Sequence, residues 1–404
     1  MKIAQINAVY GFASTGRITM ELHKALLALG HSSFVIYGQG KNTSFDGYYM
    51  GCNLDHKIHA FLSRATGLVG YFSSFSTAKM LRYLDEIKPD IVHLHNLHSN
   101  YINIPMLLNY LGKNNIPTVI TLHDCFFFTG KCTHYTVTDC YKWKSECGNC
   151  PRKSNDNNSW LFDRTKKMQK DKEKYFSKID NLAILGVSKW VTKEAEKSSI
   201  FKNAKVFKSI YNWIDLEKFK PVESDAKKRL GLENKKIILG VASIWAESKG
   251  LNNFKELSKK IDEDVRIVLV GAMTNAQSLP SNIISIPATN NLEELIEYYS
   301  MADVFLNLSL EETFGKVTAE ALACGTPAVV LNSTANPELI GEKCGNVLNS
   351  NDVDEILKAV KEIFKNGKDY YSSSCRDFVL KNFNKDTCID DTIKLYKELL
   401  TKKD

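Results

Sequence analysis

The chain predicts two tandem α/β domains, each built on a parallel sheet wrapped by helices. Short apolar runs alternate with helical patterns along most of the 404 residues, and such alternation is typical of parallel sheets. The pattern occurs twice, and a segment from Ile210 to Pro221 separates the two sets. The length also suits two or three domains, each with a core of its own.

Eleven short apolar segments are the predicted strands. In the first half they are Lys2–Ala8, Ser33–Tyr37, Asp90–Leu94, Pro117–Leu122, Leu182–Val187 and Lys205–Ile210. In the second half they are Lys236–Ala242, Val265–Val270, Ile283–Pro287, Asp303–Leu308 and Thr326–Leu331. The segment from about Lys381 has one apolar stripe at helical spacing. This helix could cap the second domain or cross back to the first.

The composition is that of a soluble globular protein, with 44% hydrophobic and 25% charged residues. No segment approaches the length of uninterrupted apolar sequence that a transmembrane helix needs. The first residues are typical of a strand and lack the apolar run of a signal peptide. We therefore expect a cytoplasmic protein, whose ten cysteines are not a secreted disulfide framework.

Positive charge is concentrated in the first half of the chain. Residues 1–209 hold 28 Lys and Arg against 16 Asp and Glu, whereas the remainder holds 25 against 30. Such asymmetry favours an anionic partner for the first half, either lipid or nucleic acid. A solvated, lysine-rich surface is the alternative interpretation.

Two segments of the first half are candidates for contact with a membrane. Trp160–Ile179 is basic and amphipathic, so it could lie on an anionic bilayer or turn its apolar stripe into the core. The apolar patch from Phe61 to Phe75 is the second candidate, for a membrane or for an acceptor lipid.

Residues 311–331 carry the most informative pattern. A predicted strand runs into a polar loop, and the helix that follows ends at Cys324-Gly325. Ligands of open α/β sheets bind outside the carboxyl ends of strands, where a helix N-terminus offers free N–H groups to an anion. Glu312 and Glu320 flank that opening. The loop therefore suits a ligand whose phosphate binds the backbone amides and whose hydroxyls bind the carboxylates. A nucleotide-sugar has both groups.

Lys249-Gly250 follows another strand of the second half and precedes a helix. A lysine at this position can reach a diphosphate as a point charge. Lys249-Gly250 alone is weak evidence for a phosphate site. Together with residues 311–320 the evidence is stronger, because both loops would open on one cleft.

The first loop, Gly11-Phe-Ala-Ser-Thr-Gly-Arg-Ile18, follows the first strand and precedes a helix predicted at Thr19–Leu29. Its G-x4-G spacing resembles a phosphate-binding loop but lacks the Lys-Ser/Thr that an NTPase requires. It also lacks the spacing of a dinucleotide site. We expect a flexible loop that lines an interdomain cleft, with a structural turn as the alternative.

Histidines cluster at the ends of two predicted strands. His93, His95 and His98 belong to the first, and His123 with Asp124 to the second. Side chains at these ends should line the mouth of the cleft, and His123 is the first candidate for substrate contact. A structural role is the usual alternative for a histidine, and zinc ligation lacks a recognised spacing here.

Four cysteines lie within nineteen residues in the first half: Cys132, Cys140, Cys147 and Cys150. One pair has C-x-x-C spacing, and four thiolates can surround a tetrahedral zinc. The other spacings are wider than in common structural sites. A structural zinc, reduced packing cysteines and disulfides therefore all stay open.

Residues 312–327, Glu-Thr-Phe-Gly-Lys-Val-Thr-Ala-Glu-Ala-Leu-Ala-Cys-Gly-Thr-Pro, resemble the E-x7-E signature of retaining glycosyltransferases of family 4, which have the GT-B fold. Ile214-Asp215-x3-Phe219-x-Pro221 resembles the interdomain segment of that family, and Lys249-Gly250 its phosphate-binding Lys-Gly. The run from His123 to Pro151 looks like a subgroup that builds bacterial surface polysaccharides. The resemblance covers nearly the whole chain.

The resemblance implies two Rossmann-like domains whose parallel sheets face an interdomain cleft. Residues 1–208 would bind the acceptor and residues 209–380 the donor, with the helix in 381–404 packing back onto the first domain. The implied reaction moves a sugar from a nucleoside-diphosphate sugar to a saccharide on a polyprenyl-diphosphate lipid, with retained configuration, in capsule, exopolysaccharide or lipopolysaccharide synthesis. No catalytic cofactor and no nucleic acid take part. The protein would work at the anionic inner face of the plasma membrane.

The resemblance also assigns roles to residues. Glu312 would contact the donor sugar, Glu320 the ribose hydroxyls, and His123 the sugar near the reaction centre. The diphosphate would be bound by Lys249 and by backbone N–H groups of Phe314, Gly315, Lys316 and Val317, under a loop that contains Gly16 and Arg17. The acceptor side would comprise His95, Asn96, His98 and Asp124.

One position departs from the family pattern. The family usually carries an arginine before the phosphate-binding lysine, whereas Ser243 and Ser248 occupy the two corresponding positions here. The diphosphate site thus lacks its second cation, for which Lys316 or Arg17 could substitute.

Two other hypotheses compete with a sugar transferase. A GT-B nucleotide-sugar epimerase would act on the donor without an acceptor. A non-catalytic nucleotide-sugar or nucleic-acid binding protein would be built around the cysteines and the basic helix, and its nucleic-acid binding would be sensitive to salt.

Overall fold

The computed structural model describes residues 1–40, 46–273, 279–289 and 291–401. The chain forms two compact units. Unit 1 comprises Met1–Ile210 and Ile389–Asp404, and unit 2 comprises Tyr211–Cys388. Within the described ranges, none of the helices combines the length and the hydropathy needed to cross a bilayer.

Unit 1 contains a seven-stranded parallel sheet in the order β3-β2-β1-β4-β5-β6-β7. Its strands are β1 (Lys2–Asn7), β2 (Ser32–Tyr37), β3 (Tyr48–Tyr49), β4 (Ile91–Leu94), β5 (Thr118–Leu122), β6 (Leu182–Gly186) and β7 (Val206–Ser209). Its helices are α1 (Ala13–Ala28), α2 (Asn53–Thr66), α3 (Ser74–Ile87), α4 (Ile104–Lys113), α5 (Thr165–Phe176) and α6 (Lys189–Glu196).

Unit 2 contains a six-stranded parallel sheet in the order β10-β9-β8-β11-β12-β13. Its strands are β8 (Lys236–Trp245), β9 (Val265–Met273), β10 (Ile283–Ile286), β11 (Val304–Asn307), β12 (Ala328–Leu331) and β13 (Gly345–Leu348). The helices that follow α6 are α7 (Ala226–Arg229), α8 (Leu251–Ser258), α9 (Leu292–Met301), α10 (Lys316–Ala323), α11 (Val353–Asn366), α12 (Asp369–Asn382) and α13 (Lys385–Thr401).

The eleven predicted strands are all present, with ends that differ by a few residues. Their central members are buried on both faces, which is typical of parallel sheets covered by helices. Two short strands, β3 and β13, were not predicted. The predicted α/β fold class with two parallel sheets is therefore confirmed.

Each sheet reverses its strand order once. In unit 1 the reversal lies between β1 and β4, and in unit 2 between β8 and β11. The loops after two such strands diverge to opposite faces of the sheet and leave a crevice at their carboxyl ends, where open α/β sheets bind ligands. The two reversals therefore mark where functional side chains are expected.

The helix α13 is tied to the centre of the sheet in unit 1. The Nδ1 atom of His93 on β4 lies 2.6 Å from the hydroxyl of Tyr396 on α13, and its Nε2 atom lies 2.6 Å from the Thr121 hydroxyl on β5. His93 is 1% exposed, so it is a bridging core residue and not part of an open cleft mouth.

Replacing His93 with glutamine is expected to make unfolding less sensitive to acid. Burial lowers the pKa of His93 to about 3, whereas an unfolded histidine titrates near about 6.5. The unfolded chain then binds a proton that the native state does not. Stability from this group is complete above about pH 6.5 and is lost as the pH falls towards 3, by about 2 kcal/mol at about pH 5.

The measurement is the melting temperature of the wild type and of His93→Gln at about pH 7 and about pH 5. Glutamine can hydrogen bond to Tyr396 and Thr121 without titrating, so the variant should lose less stability between the two conditions. An identical loss in both proteins would contradict the assignment.

Candidate functional site

In unit 2, two loops meet where the strand order reverses. Lys249 lies in the turn after β8, and Ser309–Glu312 follows β11 directly. The backbone N–H of Leu310 donates to the Ser248 carbonyl at 3.0 Å, so the two loops are joined. The structure thus brings together the two phosphate and sugar candidates that lie 63 residues apart in the sequence.

The side chains of Lys249 and Glu312 form an ion pair. The Lys249 Nζ atom lies 2.5 Å from Glu312 Oε1 and 3.3 Å from the Ser309 hydroxyl. Their side chains are 36% and 19% exposed, so both are open to solvent. Because a half-exposed pair contributes at most about 1 kcal/mol, an anionic ligand can separate the two charges at little cost.

The carboxylate loop is clamped from its other side by residues that follow β12. The Glu312 backbone N–H donates to the Thr334 hydroxyl at 2.9 Å. The Asn336 side chain donates to the Ser309 carbonyl at 3.0 Å, and the Ala335 N–H donates to the Glu312 carbonyl at 3.2 Å. Glu312 is therefore held on a backbone that is fixed on both sides.

Helix α10 begins beside this loop. Gly315 precedes its first residue with a φ of +88°, and a Cβ atom there would lie 2.8 Å from Leu339 Cδ1, so glycine is required. Lys316 and Val317 are partly exposed, whereas Phe314 is 3% exposed and packs on Phe383. Only the backbone of Phe314 can serve a ligand here. The first N–H groups of a helix have no partner within it and are suited to an anion.

Glu320 is held by a tyrosine that the sequence did not single out. The hydroxyl of Tyr299 on α9 donates to Glu320 Oε2 at 3.0 Å. Tyr299 is fully buried, and burial together with this carboxylate raises its pKa. It therefore donates at every physiological pH and fixes the direction of the carboxylate.

Two serines take the positions where the family resemblance expects an arginine. Ser243 and Ser248 are both exposed, and neither carries charge. Lys316, the first residue of α10, is the cation that unit 2 offers next to Gly315. Arg17 is exposed on α1 in unit 1.

The loop after β1 is shorter than predicted. Helix α1 begins at Ala13, not at Thr19, so Gly16 and Arg17 lie in its first turns. A Cβ atom on Gly16 would lie 3.2 Å from the Tyr10 backbone nitrogen. This glycine therefore lets the start of α1 pack closely against the loop, and the prediction of a flexible loop at these two residues is wrong.

A hydrogen-bond chain sets the tautomer of His123. The Gln5 amide donates to the Thr19 carbonyl at 3.4 Å, which turns Gln5 Oε1 towards His95 Nε2 at 3.3 Å. His95 Nε2 must then carry the proton, so its Nδ1 accepts from His123 Nε2 at 3.0 Å. This arrangement leaves His123 Nδ1 as an acceptor. Burial lowers the pKa of His123 to about 4, so the ring is neutral and suited to accept from a hydroxyl.

His95 does not fit the predicted contact with an acceptor. It is 1% exposed, and burial holds its pKa well below the usual range. Its ring lies between those of His93 and His123, at centroid distances of 4.2 and 5.3 Å. His95 directly follows β4 and is buried, so it positions His123 and does not line open space.

His98 and Asp124 form a second pair, and His98 lines an open cavity of about 530 Å³ in unit 1. The His98 Nε2 atom lies 2.8 Å from Asp124 Oδ2. This carboxylate outweighs burial and raises the pKa of His98, while His98 lowers that of Asp124. Asn96 is partly exposed nearby in the chain. Apart from Ala60, the other residues of the cavity wall are polar, namely Gln39, His56, Lys57, Ser99, Asn100 and Asn157.

The four clustered cysteines do not form the predicted zinc site. Within the described part of the chain, no group of three or more His, Cys, Asp or Glu is arranged to hold a metal ion. The Cys132 and Cys150 thiols instead hydrogen bond to each other. None of the four thiols is in a disulfide, and the interpretation as reduced packing cysteines stays a prediction.

The basic helix also differs from its prediction as a membrane segment. In α5 the stripe that contains Met168 and Phe176 is buried. Lys172 is buried with it, and its ammonium donates to the carbonyls of Thr129 and Gly130 at 3.0 and 3.3 Å. The alternative interpretation, with the apolar stripe in the core, is the one observed.

One group of exposed apolar residues belongs to α2 and to the segment that precedes α5. Leu54, Ile58 and Phe61 share one face of α2, and the Phe61 ring meets Trp160 edge-on at 5.8 Å. We call the exposed set of these residues the α2 patch, which comprises Leu54, Ile58, Phe61, Trp160, Leu161 and Phe162. Lys57, Arg64 and Arg164 surround it.

Several residues of the site gave no signal in the sequence. Tyr299, Thr334, Asn336 and Gln5 act through contacts that only the fold creates. Lys57, Asn100 and Asn157 belong to three separate segments that join at the cavity.

Family models match both halves of the chain. The model of Glycosyltransferase Family 4 matches residues 15–218, and that of Glycosyl transferases group 1 matches residues 222–377. The fold is also similar to that of Anabaena HepE, solved in complex with UDP-glucose, with a TM-score of 0.63 and 16% identity over 98% of this chain and 99% of that one. At this identity the likeness shows the fold alone.

The curated relatives that match the chain either align over a short part of it or have low sequence identity to it. Sulfoquinovosyl transferase SQD2 of Arabidopsis thaliana is 30% identical over 162 residues, which are 37% of this chain and 31% of that protein. An uncharacterised 41.2 kDa protein in the cps region of Klebsiella pneumoniae is 24% identical over 328 residues, which are 79% of this chain and 81% of that protein. The match to the plant protein thus spans less than a third of its length.

The first model alone covers half of the chain, and the second matches the residues that contain Lys249, Glu312 and Glu320. Together with the two parallel sheets, these matches identify the chain as a member of glycosyltransferase family 4 with the GT-B fold.

Proposed function

We propose that the protein is a retaining glycosyltransferase that moves a sugar from a nucleoside-diphosphate sugar to a lipid-linked saccharide. The observation that carries the proposal is the joined pair of loops in unit 2. They place an ammonium, a carboxylate and a helix N-terminus within one crevice. The Arabidopsis relative is named as a sugar transferase and the Anabaena structure contains UDP-glucose, which supports this class of donor.

The chemistry needs stabilisation of charge on a departing nucleoside diphosphate. Lys249 and the first N–H groups of α10 would supply it. The N–H groups are fixed by the helix and need little reorganisation, which is the most effective form of electrostatic catalysis. Glu312 would bind hydroxyls of the donor sugar after it releases Lys249 to the phosphates. Glu320, fixed by Tyr299, would bind the ribose. His123 is the unit 1 residue proposed to accept from the sugar.

The acceptor is proposed to bind to unit 1. The cavity of about 530 Å³ offers Lys57 and His98, which is paired with Asp124, and these groups suit phosphate and sugar hydroxyls. Helix α2 carries Lys57 to this cavity and also carries Ile58 and Phe61 of the α2 patch. One helix thus links a polar cavity to an apolar, basic surface. A saccharide diphosphate on a polyprenyl lipid combines a polar head, which suits the cavity, with an apolar tail, which suits the α2 patch. We therefore place the reaction at an anionic membrane surface, in surface-polysaccharide synthesis.

Substitution of Lys249 or Glu312 with alanine is expected to abolish transfer. Each side chain is needed where charge develops, so a loss of about 10²-fold or more in kcat is expected. The partner charge left behind is part-exposed, so the melting temperature should change little. The assay follows release of nucleoside diphosphate and the glycosylated lipid. Lys259→Ala is the control, since Lys259 pairs with Glu256 on the surface. Near-normal turnover in either site variant would contradict the proposal.

Tyr299→Phe is expected to weaken donor binding. The variant keeps the ring and removes the hydrogen bond that orients Glu320, which is worth about 1.5–3 kcal/mol for a charged acceptor. The KM for the donor should rise about tenfold with a smaller change in kcat. Tyr298→Phe is a matched control, because the neighbouring Tyr298 donates to Glu294 at 2.5 Å. Equal effects of the two variants would refute a positioning role.

The double variant Phe61→Ser/Trp160→Ser is expected to reduce binding to vesicles that contain anionic lipid. It removes two exposed aromatic rings, and burial of each ring contributes about 1–3 kcal/mol. Cosedimentation with anionic and with neutral vesicles measures the effect, and Tyr370→Ser in unit 2, with Tyr370 53% exposed, is the control. Unchanged binding would show that the α2 patch does not contact the bilayer.

A further inference from the structure

The segment between Thr129 and Phe162 has almost no regular structure. It contains two short 3-10 turns, at Thr136–Thr138 and Lys142–Lys144. Four of the ten cysteines lie in it, and all four line one small cavity of about 20 Å³. Such a cavity holds about one water molecule, and the proposed transfer reaction uses none of these thiols.

Two of the four thiols are paired. Cys132 and Cys150 hydrogen bond to each other, and both are partly exposed. The Cys150 sulfur also accepts from the Arg152 N–H, and the buried ammonium of Lys131 lies beside it. The hydrogen bond from Cys132, followed by the Arg152 N–H and the charge of Lys131, lowers the pKa of Cys150 to about 7. The pKa of Cys132 is raised. A thiolate therefore stands next to a thiol at neutral pH.

We propose that Cys132 and Cys150 are a redox-active dithiol that a small-molecule disulfide converts into an intrachain disulfide. The Cys150 thiolate attacks one sulfur of the oxidant, forms a mixed disulfide and releases the other half as a thiolate. Cys132 then loses its proton and attacks the Cys150 sulfur, which expels the second half. Two protein sulfurs are oxidised to one disulfide and the oxidant is reduced to two thiols. One released thiolate takes the proton that Cys132 loses, and the other takes a proton from solvent, to which Cys150 had lost its own.

The pair is connected to the wall of the open cavity in unit 1. Lys131 precedes Cys132, and its ammonium donates to the carbonyls of Lys153 and Asn157 at 2.8 and 3.2 Å. The Asn157 amide donates back to the Lys131 carbonyl at 2.8 Å, and Asn157 lines the cavity with His98. Oxidation removes the thiolate that faces Lys131. If the cavity binds the acceptor, which rests on the proposed function, oxidation should raise the KM for the acceptor and leave that for the donor unchanged.

Unit 2 contains a natural comparison. Cys344 and Cys375 also hydrogen bond to each other, but both are fully buried. The two pairs therefore share a contact and differ in access. Thiol–disulfide exchange requires access to the attacking thiolate. The buried pair should therefore stay reduced under the conditions in which the Cys132–Cys150 pair reacts.

The test equilibrates the full chain with mixtures of reduced and oxidised glutathione, blocks remaining thiols and maps peptides by mass spectrometry. The expected product is a Cys132–Cys150 crosslink with a mass loss of about 2 Da, while Cys344 and Cys375 are alkylated. Alkylation of Cys150 should show a pH midpoint near 7. Cys150→Ser should abolish the crosslink, and Cys344→Ser should not affect it.

Three outcomes would overturn the proposal. The first is full alkylation of both thiols in the most oxidising mixture, and the second is a stable glutathione adduct without a crosslink. The third is stoichiometric zinc in the purified protein that protects the thiols until a chelator removes it. These readouts do not need transfer activity. Absence of sugar transfer by the fully reduced protein would refute the proposed function, and a Cys132–Cys150 crosslink would still support the dithiol.

Discussion

Parallel strands direct all their outgoing loops to one edge of a sheet, and only a reversal of strand order opens a space between those loops. Both sheets of this protein reverse once, between β1 and β4 and between β8 and β11. Every proposed contact with a nucleotide-sugar in unit 2 lies within a few residues of β8 or β11, or on the helix that follows. The histidines of unit 1 stand in the same relation to β4 and β5. The order of the strands therefore determines which loops can meet, and only then can their side chains form a site.

Within unit 2, the charges of the site are paired with each other. Lys249 and Glu312 neutralise each other across a short contact, while hydrogen bonds from Thr334, Ala335 and Asn336 fix the loop backbone. A ligand with negative phosphates and neutral hydroxyls replaces one ion pair with two new interactions. Under the proposed function, this exchange would free Lys249 for the diphosphate in a site that lacks the expected arginine.

The sequence predicted the strands and the placement of Lys249, Glu312 and Glu320 because these depend on local patterns of apolar runs, glycines and helix starts. It did not predict β3, since two residues cannot show a period. Burial was the main source of error. His93 and His95 were expected at an open edge, but β4 lies in the middle of a covered sheet, so His93 on this strand and His95 directly after it are both buried. The apolar stripe of α5 was equally ambiguous, because the same pattern suits a bilayer and a core. Tyr299 and Asn336 contact the site only after distant segments have folded together.

The contact between His93 and Tyr396 spans 303 residues. All of unit 2 lies between these two positions in the chain. During synthesis, therefore, the sheet of unit 1 cannot acquire α13 until the whole of unit 2 has left the ribosome. Unit 2 is contiguous and can complete its core first. Unit 1 begins earlier and is finished later, and in the interval a polar histidine at its centre lacks one of its two partners.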